Sequence, residues 1–343
     1  MDGTPLSTLR DLAEREGDEV VDFWTQQSGD ILDRHGVSPE AEGFEKTPMA
    51  DPEAYRSAEV ESTIVQQATE EAAIPDTFIE EAKSNPVPYQ LADQTVEIYI
   101  DGVSTKKQKP HRRVESSKEE SKRVNNRIAV IRHRGQGYCM AARSYAELLR
   151  FVVAFLIHNS LWSLQLCFYV DGEKTIKNTI AKWFSWHPKV RLIMDWYHLR
   201  HKCEELCSLA LKGRKIRNGH LDKLRPMLWY GCVNSAITYL ESIPDDHVKN
   251  PKSMESLMTY LGNHSKHIPC YAIRKQLALC NSSTRVEKAN DHLVSIRQKH
   301  NGMSWSEDGS LGLAALSAVR VNRSQDQWLD TKTMPFMLLS DAA

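Results

Sequence analysis

The succession of short apolar segments between residues 96 and 211 constrains the fold more than any other feature of this sequence. A β-type segment, VEIYID, is followed by a polar, basic stretch and by two further β-type runs that meet at Gly135-Gln136-Gly137. Helical and β-type segments then alternate up to a helix that begins at Trp196. This order, βββαβαβα, predicts an α/β fold in which a mixed sheet is covered by helices.

The first helix of this series has a recognisable start and a buried character. Ser144 followed by Glu147 three residues later forms a capping box. The segment that follows, YAELLRFVVAFLIHN, is apolar on nearly all sides. We therefore expect a helix that lies inside the fold rather than on its surface.

Composition and punctuation predict how the rest of the chain is organised. The segment SNPVPYQLADQ, from Ser84, carries two prolines and indicates a linker. Helical apolar spacing dominates before it and again after the alternating segments. The predicted regions are an acidic helical N-terminal region (1–83), the linker (84–95), the first part of the core (96–211), an all-helical insertion (212–280), the completion of the core (281–329) and a tail (330–343).

The formal net charge of −1 conceals two regions of opposite sign. Residues 1–100 contain 6 Lys and Arg against 23 Asp and Glu, a balance of −17. Residues 101–343 contain the remaining 38 basic and 22 acidic residues, a balance of +16. A basic body of this kind often binds nucleic acid, although two ordinary solvated surfaces of opposite sign would give the same totals.

Cysteine usage and the lack of targeting segments indicate a cytoplasmic protein. The seven cysteines are odd in number, and several lie in apolar or helical runs, as reduced, buried thiols do. The N-terminal segment is acidic and has no apolar signal core. The longest apolar run, LLRFVVAFLIHNSLW, contains Arg150 and His158 and is too short to span a bilayer. We expect no membrane partner.

Two aspartates follow apolar strands and precede glycines. Asp101 ends VEIYID and Asp171 ends LQLCFYVD. If the two strands are neighbours, both carboxylates project into one crevice at the sheet edge, where a cation such as Mg²⁺ would relieve their repulsion. The alternative for each aspartate alone is a turn residue, because Asp-Gly is a common hairpin signal.

Cations crowd the sequence behind Asp101. In a site for phosphodiester chemistry they would hold a phosphate backbone near the metal, whereas on their own they indicate a solvated loop. The candidate residues are Lys106, Lys107, Lys109, Arg112 and Arg113.

Glu287 is the candidate for a third carboxylate. It flanks a predicted buried helical stripe, and Asp291 lies one turn later on the same side, so either could reach a crevice. The alternative is structural, because Thr284 and Glu287 also form a capping box. The same helix carries basic residues that suit contact with nucleic acid, namely Arg285, Lys288, Arg297 and Lys299.

Asp195 also ends an apolar strand and competes with Asp171. It can cap the helix that starts at Trp196 or hold His198, and we favour such a supporting role. A zinc site formed by His198, His201, Cys203 and Cys207 is disfavoured, because the two cysteines lie about 140–180° around the helix from His198.

At this point the sequence resembles a known family, the DDE transposases of bacterial insertion sequences. It is most similar to the groups related to Mutator-like elements, which carry a helical insertion before the last acidic residue. The resemblance covers roughly residues 96–329. The segments that carry it are IYIDGVSTKKQK, FYVDGEKTI, LIMDWYHLRHK and SSTRVEKANDHLVSIRQKHNGMSWSEDGSLGLAAL.

The resemblance implies an RNase H-like core and a catalytic triad. Asp101, Asp171 and Glu287 would hold two Mg²⁺ or Mn²⁺ ions, cut DNA strands and join 3′-hydroxyl ends to target DNA. Asp195 and His198 would match a supporting Asp-aromatic-His element. Further implications are double-stranded DNA as partner (element ends and target), a homo-oligomer on DNA and association with the nucleoid.

Two features leave alternatives open. Trp305, in GMSWS, fits the family's C-terminal helical region, where it either packs beneath the helix or stacks on a DNA base. Upstream of the core, the family's site-specific DNA reader is replaced by an acidic region. That region could inhibit, contact a partner or be the remnant of a reader, so a nuclease or resolvase without strand transfer and a non-catalytic DNA-binding relative stay as alternative functions.

Overall fold

The computed structural model of the chain describes residues 6–38, 60–108, 122–170, 174–184, 187–299 and 303–340. The strands are β1 (Thr95–Lys106), β2 (Arg123–His133), β3 (Gln136–Ala142), β4 (Gln165–Val170), β5 (Val190–Met194) and β6 (Leu339–Ser340). The helices are α1 (Leu6–Arg34), α2 (Val60–Glu71), α3 (Asp76–Lys83), α4 (Tyr145–His158), α5 (Lys174–Phe184), α6 (Trp196–Ala210), α7 (Arg214–Trp229), α8 (Val233–Glu241), α9 (Pro251–His264), α10 (Tyr271–Gln276), α11 (Thr284–Asn290), α12 (Ile296–Gln298), α13 (Glu307–Val321) and α14 (Gln325–Thr331).

The strands form one mixed sheet in the order β5-β4-β1-β2-β3-β6. β2 is antiparallel to β1 and β3, whereas β1, β4 and β5 are parallel to one another. The short strand β6 adds an antiparallel edge next to β3. The predicted mixed α/β fold is therefore confirmed.

A tight turn fixes the hairpin of β2 and β3. Its central residues are Arg134 and Gly135, with φ angles of 50° and 76°. Two positive φ angles define the turn type whose twist matches that of an antiparallel pair. The turn therefore lies one residue earlier than the predicted Gly135-Gln136-Gly137, because Gln136 already pairs with His133.

Helix α4 fills one face of the sheet, as predicted. The Ser144 side chain accepts a hydrogen bond from the Glu147 N–H at 3.1 Å, which confirms the cap. Nine consecutive or nearly consecutive residues of α4 between Leu148 and Ile157 are buried. Phe155 stacks on Tyr138 of β3 with ring centroids 4.8 Å apart.

Helices α11 and α13 lie on the other face, which carries the side chains of Asp101 and Thr105. Asn290 of α11 is hydrogen-bonded to Asp101, and Ser310 of α13 to Thr105. A π-helical turn, Asp291–Ser295, joins α11 to α12. The sheet and these helices enclose the principal core.

The helices between β5 and α11 build separate apolar clusters. Buried residues of α6, α7, α8 and α9 form one of them, and α10 packs with α2 and α3 in another. Within the predicted helical insertion, a short connection around residue 231 separates α7 from α8. Gly231 adopts a φ of 74° there, and an added Cβ would lie 2.9 Å from the Cys270 nitrogen.

The expected end of the first strand is wrong. We expected β1 to stop at Asp101, with either a loop or an Asp-Gly turn after it, but the strand continues through Gly102 to Lys106. Val103 and Thr105 are buried on one side and β2 pairs with every residue of this extension. β2 likewise begins at Arg123, inside the predicted loop of residues 106–127.

Both ends of the chain contribute to the principal core. In α1, Val20, Trp24 and Ile31 are buried, and the Trp24 indole donates a hydrogen bond to the Tyr138 hydroxyl at 3.2 Å. The tail, for which the sequence offered no pattern, contains β6 and the buried Phe336.

The cysteines fit the prediction of buried thiols, since all seven are free and six are buried. Within the described part of the chain, no helix is both long and apolar enough to cross a membrane.

Candidate active site

Asp101 lies where the strand next to β1 comes to an end. The parallel pairing of β1 with β4 has its last matched residues at Tyr99 and Tyr169, and β4 ends at Val170. Asp101 is two residues beyond Tyr99, as Asp171 is two residues beyond Tyr169 in the sequence. Asp171 itself lies outside the described residues, so its position relative to Asp101 remains a prediction.

The Asp101 carboxylate is half-buried and is held by two N–H donors. Its Oδ1 accepts the Gly102 N–H at 2.7 Å. Its Oδ2 accepts a hydrogen bond from Nδ2 of Asn290 at 2.5 Å. Asn290 is the last residue of α11, so this contact joins the helix that carries Glu287 to the strand that carries Asp101.

Glu287 lies in α11, about one turn before Asn290, the residue that contacts Asp101 of β1. It precedes Asn290 by three residues, and side chains at that spacing share a helix face with Cβ atoms about 5–6 Å apart. Glu287 is half-buried, whereas the alternative carboxylate, Asp291, is exposed at the start of the π-turn. The structure therefore brings the helix face of Glu287 to the strand of Asp101. Its role as a metal ligand stays a prediction.

Asp195 serves as a helix cap and as a tie between two segments. It is fully buried, and its Oδ1 accepts the His198 N–H at 2.6 Å and the His198 Nδ1 at 3.0 Å. Its other oxygen accepts the N–H of Ser283, immediately before α11. Burial acts to raise the pKa of Asp195, but the hydrogen bonds from His198 and Ser283 outweigh it and lower that pKa.

Further backbone contacts fix the same junction. The Trp196 N–H donates to the Asn281 carbonyl at 3.0 Å. The Tyr271 hydroxyl donates to the Met194 carbonyl at 2.9 Å. These contacts hold together the end of β5, the start of α6 and the segment before α11. The first residue of α11 is therefore fixed relative to the sheet.

A second anchor holds the far end of the same helical stretch. Gln298 is fully buried; its side chain donates to the Ser310 carbonyl at 2.8 Å and accepts from the Ser310 hydroxyl at 2.6 Å. Asn126 of β2 donates to the same hydroxyl at 2.7 Å, and Thr105 of β1 lies 3.2 Å from it. This buried polar cluster (Thr105, Asn126, Gln298, Ser310) fixes the helix against the strand of Asp101.

A buried arginine lies beneath the segment that leads into α11. Arg274 is fully buried and donates to the Tyr169 hydroxyl and to the Cys280 carbonyl, both at 2.7 Å. Glu97 accepts hydrogen bonds from the Tyr99 hydroxyl at 3.0 Å and the Cys280 N–H at 3.2 Å. Burial works against the charge of Arg274, but the surrounding Tyr169, Cys167, Tyr89 and Glu97 raise its pKa.

The predicted DNA-binding cations divide into three groups. Lys109, Arg112 and Arg113 lie outside the described residues. Lys106 is exposed at the end of β1, while Lys107 forms an ion pair with Glu307 at 2.9 Å. The four cations of the third group are all exposed on or beside the helix that follows Ser283; they are Arg285, Lys288, Arg297 and Lys299.

A basic cleft begins at Arg285. Arg132, Arg134 and Lys275 line it as well, together with the acidic Glu97 and Asp93. The Arg134 guanidinium nitrogen Nη2 lies 3.9 Å from the Asp93 carboxylate oxygen Oδ2. Sequence reasoning missed this cleft, because its basic residues come from segments that are far apart in the chain.

Trp305 has a structural role in addition to any contact with DNA. It is half-buried, its indole donates to the Gln298 carbonyl at 3.1 Å, and its backbone bridges to the end of β1. These contacts fit packing, one of the two alternatives that the sequence left open for this residue. Stacking on a base stays a prediction.

The disfavoured zinc set is not assembled. Cys203 and Cys207 point into the apolar cluster of α6 to α9, and burial raises the pKa of Cys207 to about 11. Within the described residues, no group of three His, Cys, Asp or Glu side chains is placed to hold a metal ion.

The donors around Asp101 nevertheless suit a hard divalent cation. Asp101 and Glu287 offer carboxylate oxygens, and Oδ1 of Asn290 is a buried oxygen that has no hydrogen-bond partner within the described part of the chain. A buried, unsatisfied polar group of this kind costs about 1–3 kcal/mol. Mg²⁺ binds such oxygens and keeps part of its water shell.

No family model and no curated protein sequence matches the chain. Among solved structures, the Drosophila P element transposase strand transfer complex is similar over 83% of this chain and 84% of that chain, with 10% sequence identity and a TM-score of 0.24. A TM-score of that size does not show a shared fold. The function proposed below therefore depends on the residues of this chain.

Proposed function

We propose that the chain is a DDE transposase, with Asp101, Asp171 and Glu287 as the catalytic, metal-binding triad. The hydrogen bond between Asn290 and Asp101 carries this proposal, because it places the helix face of Glu287 against the strand of Asp101. Asp171 directly follows the parallel neighbour of that strand. Three carboxylates far apart in the sequence thus lie in β1, in α11, which contacts β1, and directly after β4, which pairs with β1.

The element order supports an RNase H-like core for this enzyme. The strands succeed one another as βββαβαβα, and β1, β4 and β5 are parallel with β1 in the middle of the sheet. The helices α7 to α10 separate α6 from α11, where the resemblance expects a helical insertion before the last acidic residue.

The residues of the proposed site have two kinds of role, metal binding and support. Two Mg²⁺ or Mn²⁺ ions bound there would activate the attacking oxygen and stabilise the leaving oxygen of a phosphodiester. Asp101, Asp171 and Glu287 would hold those ions. Asp195 and His198 have a supporting role. Asp195 accepts hydrogen bonds from His198 in α6 and from Ser283 just before α11, and it thereby fixes the position of the helix that carries Glu287.

The proposed substrate is double-stranded DNA, at the ends of a mobile element and at its target. The exposed cations of α11 and α12 lie beside the site, and the basic cleft that begins at Arg285 extends the positive surface away from it. Such cations bind the phosphate backbone without reading its sequence. We propose a homo-oligomer on DNA, since two element ends have to be held together.

The test uses the full-length chain with Mn²⁺ or Mg²⁺, DNA from the flanks of its coding sequence, and a plasmid target. Cleavage is followed on gels, and joining is followed with pre-cut ends that carry a labelled 3′-hydroxyl. Asp101→Asn and Glu287→Gln are expected to abolish both reactions while DNA binding, measured by fluorescence anisotropy, persists. Glu255→Gln, an exposed carboxylate of α9, is the matched control and should react as the wild type does.

The same assay separates the alternatives. Cleavage without joining of pre-cut ends would identify a nuclease or resolvase. Loss of activity in Asp291→Asn but not in Glu287→Gln would assign the third carboxylate to Asp291. Full activity of Asp101→Asn would exclude the proposed site. A wild type that cleaves no DNA and, in a calorimetric titration in the presence of DNA, binds neither Mg²⁺ nor Mn²⁺ would be a non-catalytic relative.

A further inference from the structure

Asn290 is a polar residue at a buried position of α11. Its neighbours along the helix, Val286, Ala289 and Leu293, form the apolar stripe that packs into the principal core. Asn290 is 8% exposed, so it shares the burial of that stripe but not its chemistry. A polar side chain in such a place needs partners for its hydrogen-bonding groups.

The two ends of the Asn290 amide have different surroundings. Nδ2 donates to Oδ2 of Asp101 at 2.5 Å. Oδ1 is buried and has no hydrogen-bond partner among the residues that the structure describes. The amide nitrogen therefore fixes the Asp101 carboxylate. The amide oxygen, in the same planar group, is left as a free acceptor among the described residues.

The protein holds this amide in place from both directions along the chain. Before α11, Ser283 is hydrogen-bonded to the buried Asp195. After it, the π-turn begins at Asp291, and the buried polar cluster fixes Gln298. Single π-helical turns inside helices occur frequently at functional sites. Asn290 is thus presented to Asp101 by a helix that is anchored at both ends.

We propose that Asn290 is a positioning residue of the cation site, an inference that rests on the proposed function. Its Nδ2 orients the Asp101 carboxylate for the cation. Its Oδ1 accepts a hydrogen bond from a water molecule that the cation carries, which satisfies the buried oxygen. Partners of this kind, one step removed from the metal, typically change metal affinity about 10- to 100-fold when they are removed.

The experiment measures cation binding directly, by calorimetric titration of Mn²⁺ into the full-length chain. Asn290→Ala is expected to bind Mn²⁺ about 10- to 100-fold more weakly than the wild type. The matched control is Asn322→Ala, which removes another buried amide that is bonded to the Cys139 backbone. This control is expected to lower the melting temperature but to leave the affinity for Mn²⁺ unchanged.

Asn290→Asp provides a second readout that a purely structural role would not alter. It removes the donor to Asp101 and places a second carboxylate beside it, so the cation-free protein should melt at a lower temperature than the wild type. Because a cation relieves that repulsion, Mn²⁺ should raise the melting temperature of this variant by more than it raises that of the wild type.

The outcomes separate the inference from the function on which it rests. If Asn290→Ala keeps the wild-type affinity for Mn²⁺, or if Asn322→Ala loses as much, the positioning role is wrong while the triad stands. If the wild type neither binds Mn²⁺ nor cleaves DNA, the proposed function fails and the inference with it.

Discussion

Asp195 shows why a carboxylate at a strand end is not a catalytic residue by position alone. In the sequence it ends an apolar strand just as Asp171 does. In the structure it is fully buried, and both of its oxygens accept hydrogen bonds, from His198 and from Ser283. Those contacts join two elements, so its effect on the site acts through the placement of α11.

The lowered pKa of Asp195 predicts a pH-dependent contribution to stability. A carboxyl whose pKa in the folded state is below its ordinary value of 3.8 stabilises the protein above that value. The contribution is lost as the pH falls through the lower pKa of the folded state. Near neutral pH, Asp195→Asn should reduce the free energy of unfolding by about 1.5–3 kcal/mol, the range for hydrogen bonds to a charged group.

Urea denaturation at several pH values measures this contribution. The difference in the free energy of unfolding between the wild type and Asp195→Asn should be constant at neutral pH and should shrink as the pH falls below 3.8. Asp330→Asn, at an exposed position of α14, should show no such difference. A gap between the wild type and Asp195→Asn that is independent of pH would mean that the charge of Asp195 does not stabilise the fold.

Some residues of the site could be predicted from the sequence, and others could not. Asp101 could be found because it follows an apolar strand and precedes a glycine, and Glu287 because it lies at the start of an amphipathic helix. Asn290 was missed, although a signal was present: it is a polar residue three positions after Glu287 beside the apolar stripe. Arg274 offered less of a signal, because its side-chain partner Tyr169 comes from a distant strand and its other partner is the backbone carbonyl of Cys280.

At the scale of elements, the helical stretch from α11 to α12 is positioned by polar contacts as much as by apolar packing. The Ser310 hydroxyl receives the Asn126 amide and donates to the Gln298 side chain. Ser310 is fully buried, so no solvent replaces these contacts when the hydroxyl is removed. The hydroxyl therefore links α13, β2 and the stretch that carries Glu287.

Removing that hydroxyl should destabilise the protein by more than the loss of one oxygen atom suggests. Ser310→Ala leaves the Asn126 donor and the Gln298 acceptor without their partner, at a cost of about 1–3 kcal/mol. Ser317→Ala is the control, because Ser317 is buried in the same helix but, among the described residues, its hydroxyl bonds only to the Leu313 carbonyl of its own helix. Guanidinium denaturation with an equal effect of both substitutions would contradict the special role of Ser310.

The elements themselves were predictable to different degrees, for physical reasons. Strands and helices with a clear apolar period were found, and so was the Ser144 cap, because each depends on residues close together in the sequence. The extension of β1 beyond Asp101 was missed because β2 stabilises it, and pairing with a distant strand leaves no local pattern. The π-turn after Asn290 and the packing of Phe336 depend on tertiary contacts in the same way.

At the scale of the whole molecule, the acidic N-terminal region contributes to the core as well as to the charge of the protein. Its first helix, α1, buries Val20, Trp24 and Ile31 in the principal core and packs along α13. Some of its acidic residues take part in that contact, since Glu14 accepts a hydrogen bond from Ser306, the N-cap of α13, and Glu16 pairs with Lys332. A balance of −17 over residues 1–100 therefore coexists with a structural function that the charge pattern could not reveal.

The contact between α1 and α13 allows a test of whether α1 is an essential part of the principal core. The two helices meet at glycines, and a Cβ added to Gly17 would lie 2.2 Å from the Cα of Gly312. Gly17→Ala must push the helices apart, and overpacking of this kind costs about 1–3 kcal/mol. Because α13 also carries Ser310, we expect one cooperative unfolding transition that moves to lower denaturant concentration for the whole protein.

Gly219→Ala supplies the opposite expectation within the same chain. Gly219 lies in the exposed part of α7, with nothing within 4 Å of an added Cβ. Replacing a glycine inside a helix by alanine stabilises it by about 0.5–1 kcal/mol. The two substitutions are chemically identical, so opposite shifts in the denaturation midpoint would place their cause in the contact with α13. If Gly17→Ala unfolds at the same denaturant concentration as the wild type, α1 can leave the core without unfolding it, and the acidic region would then be a separable arm.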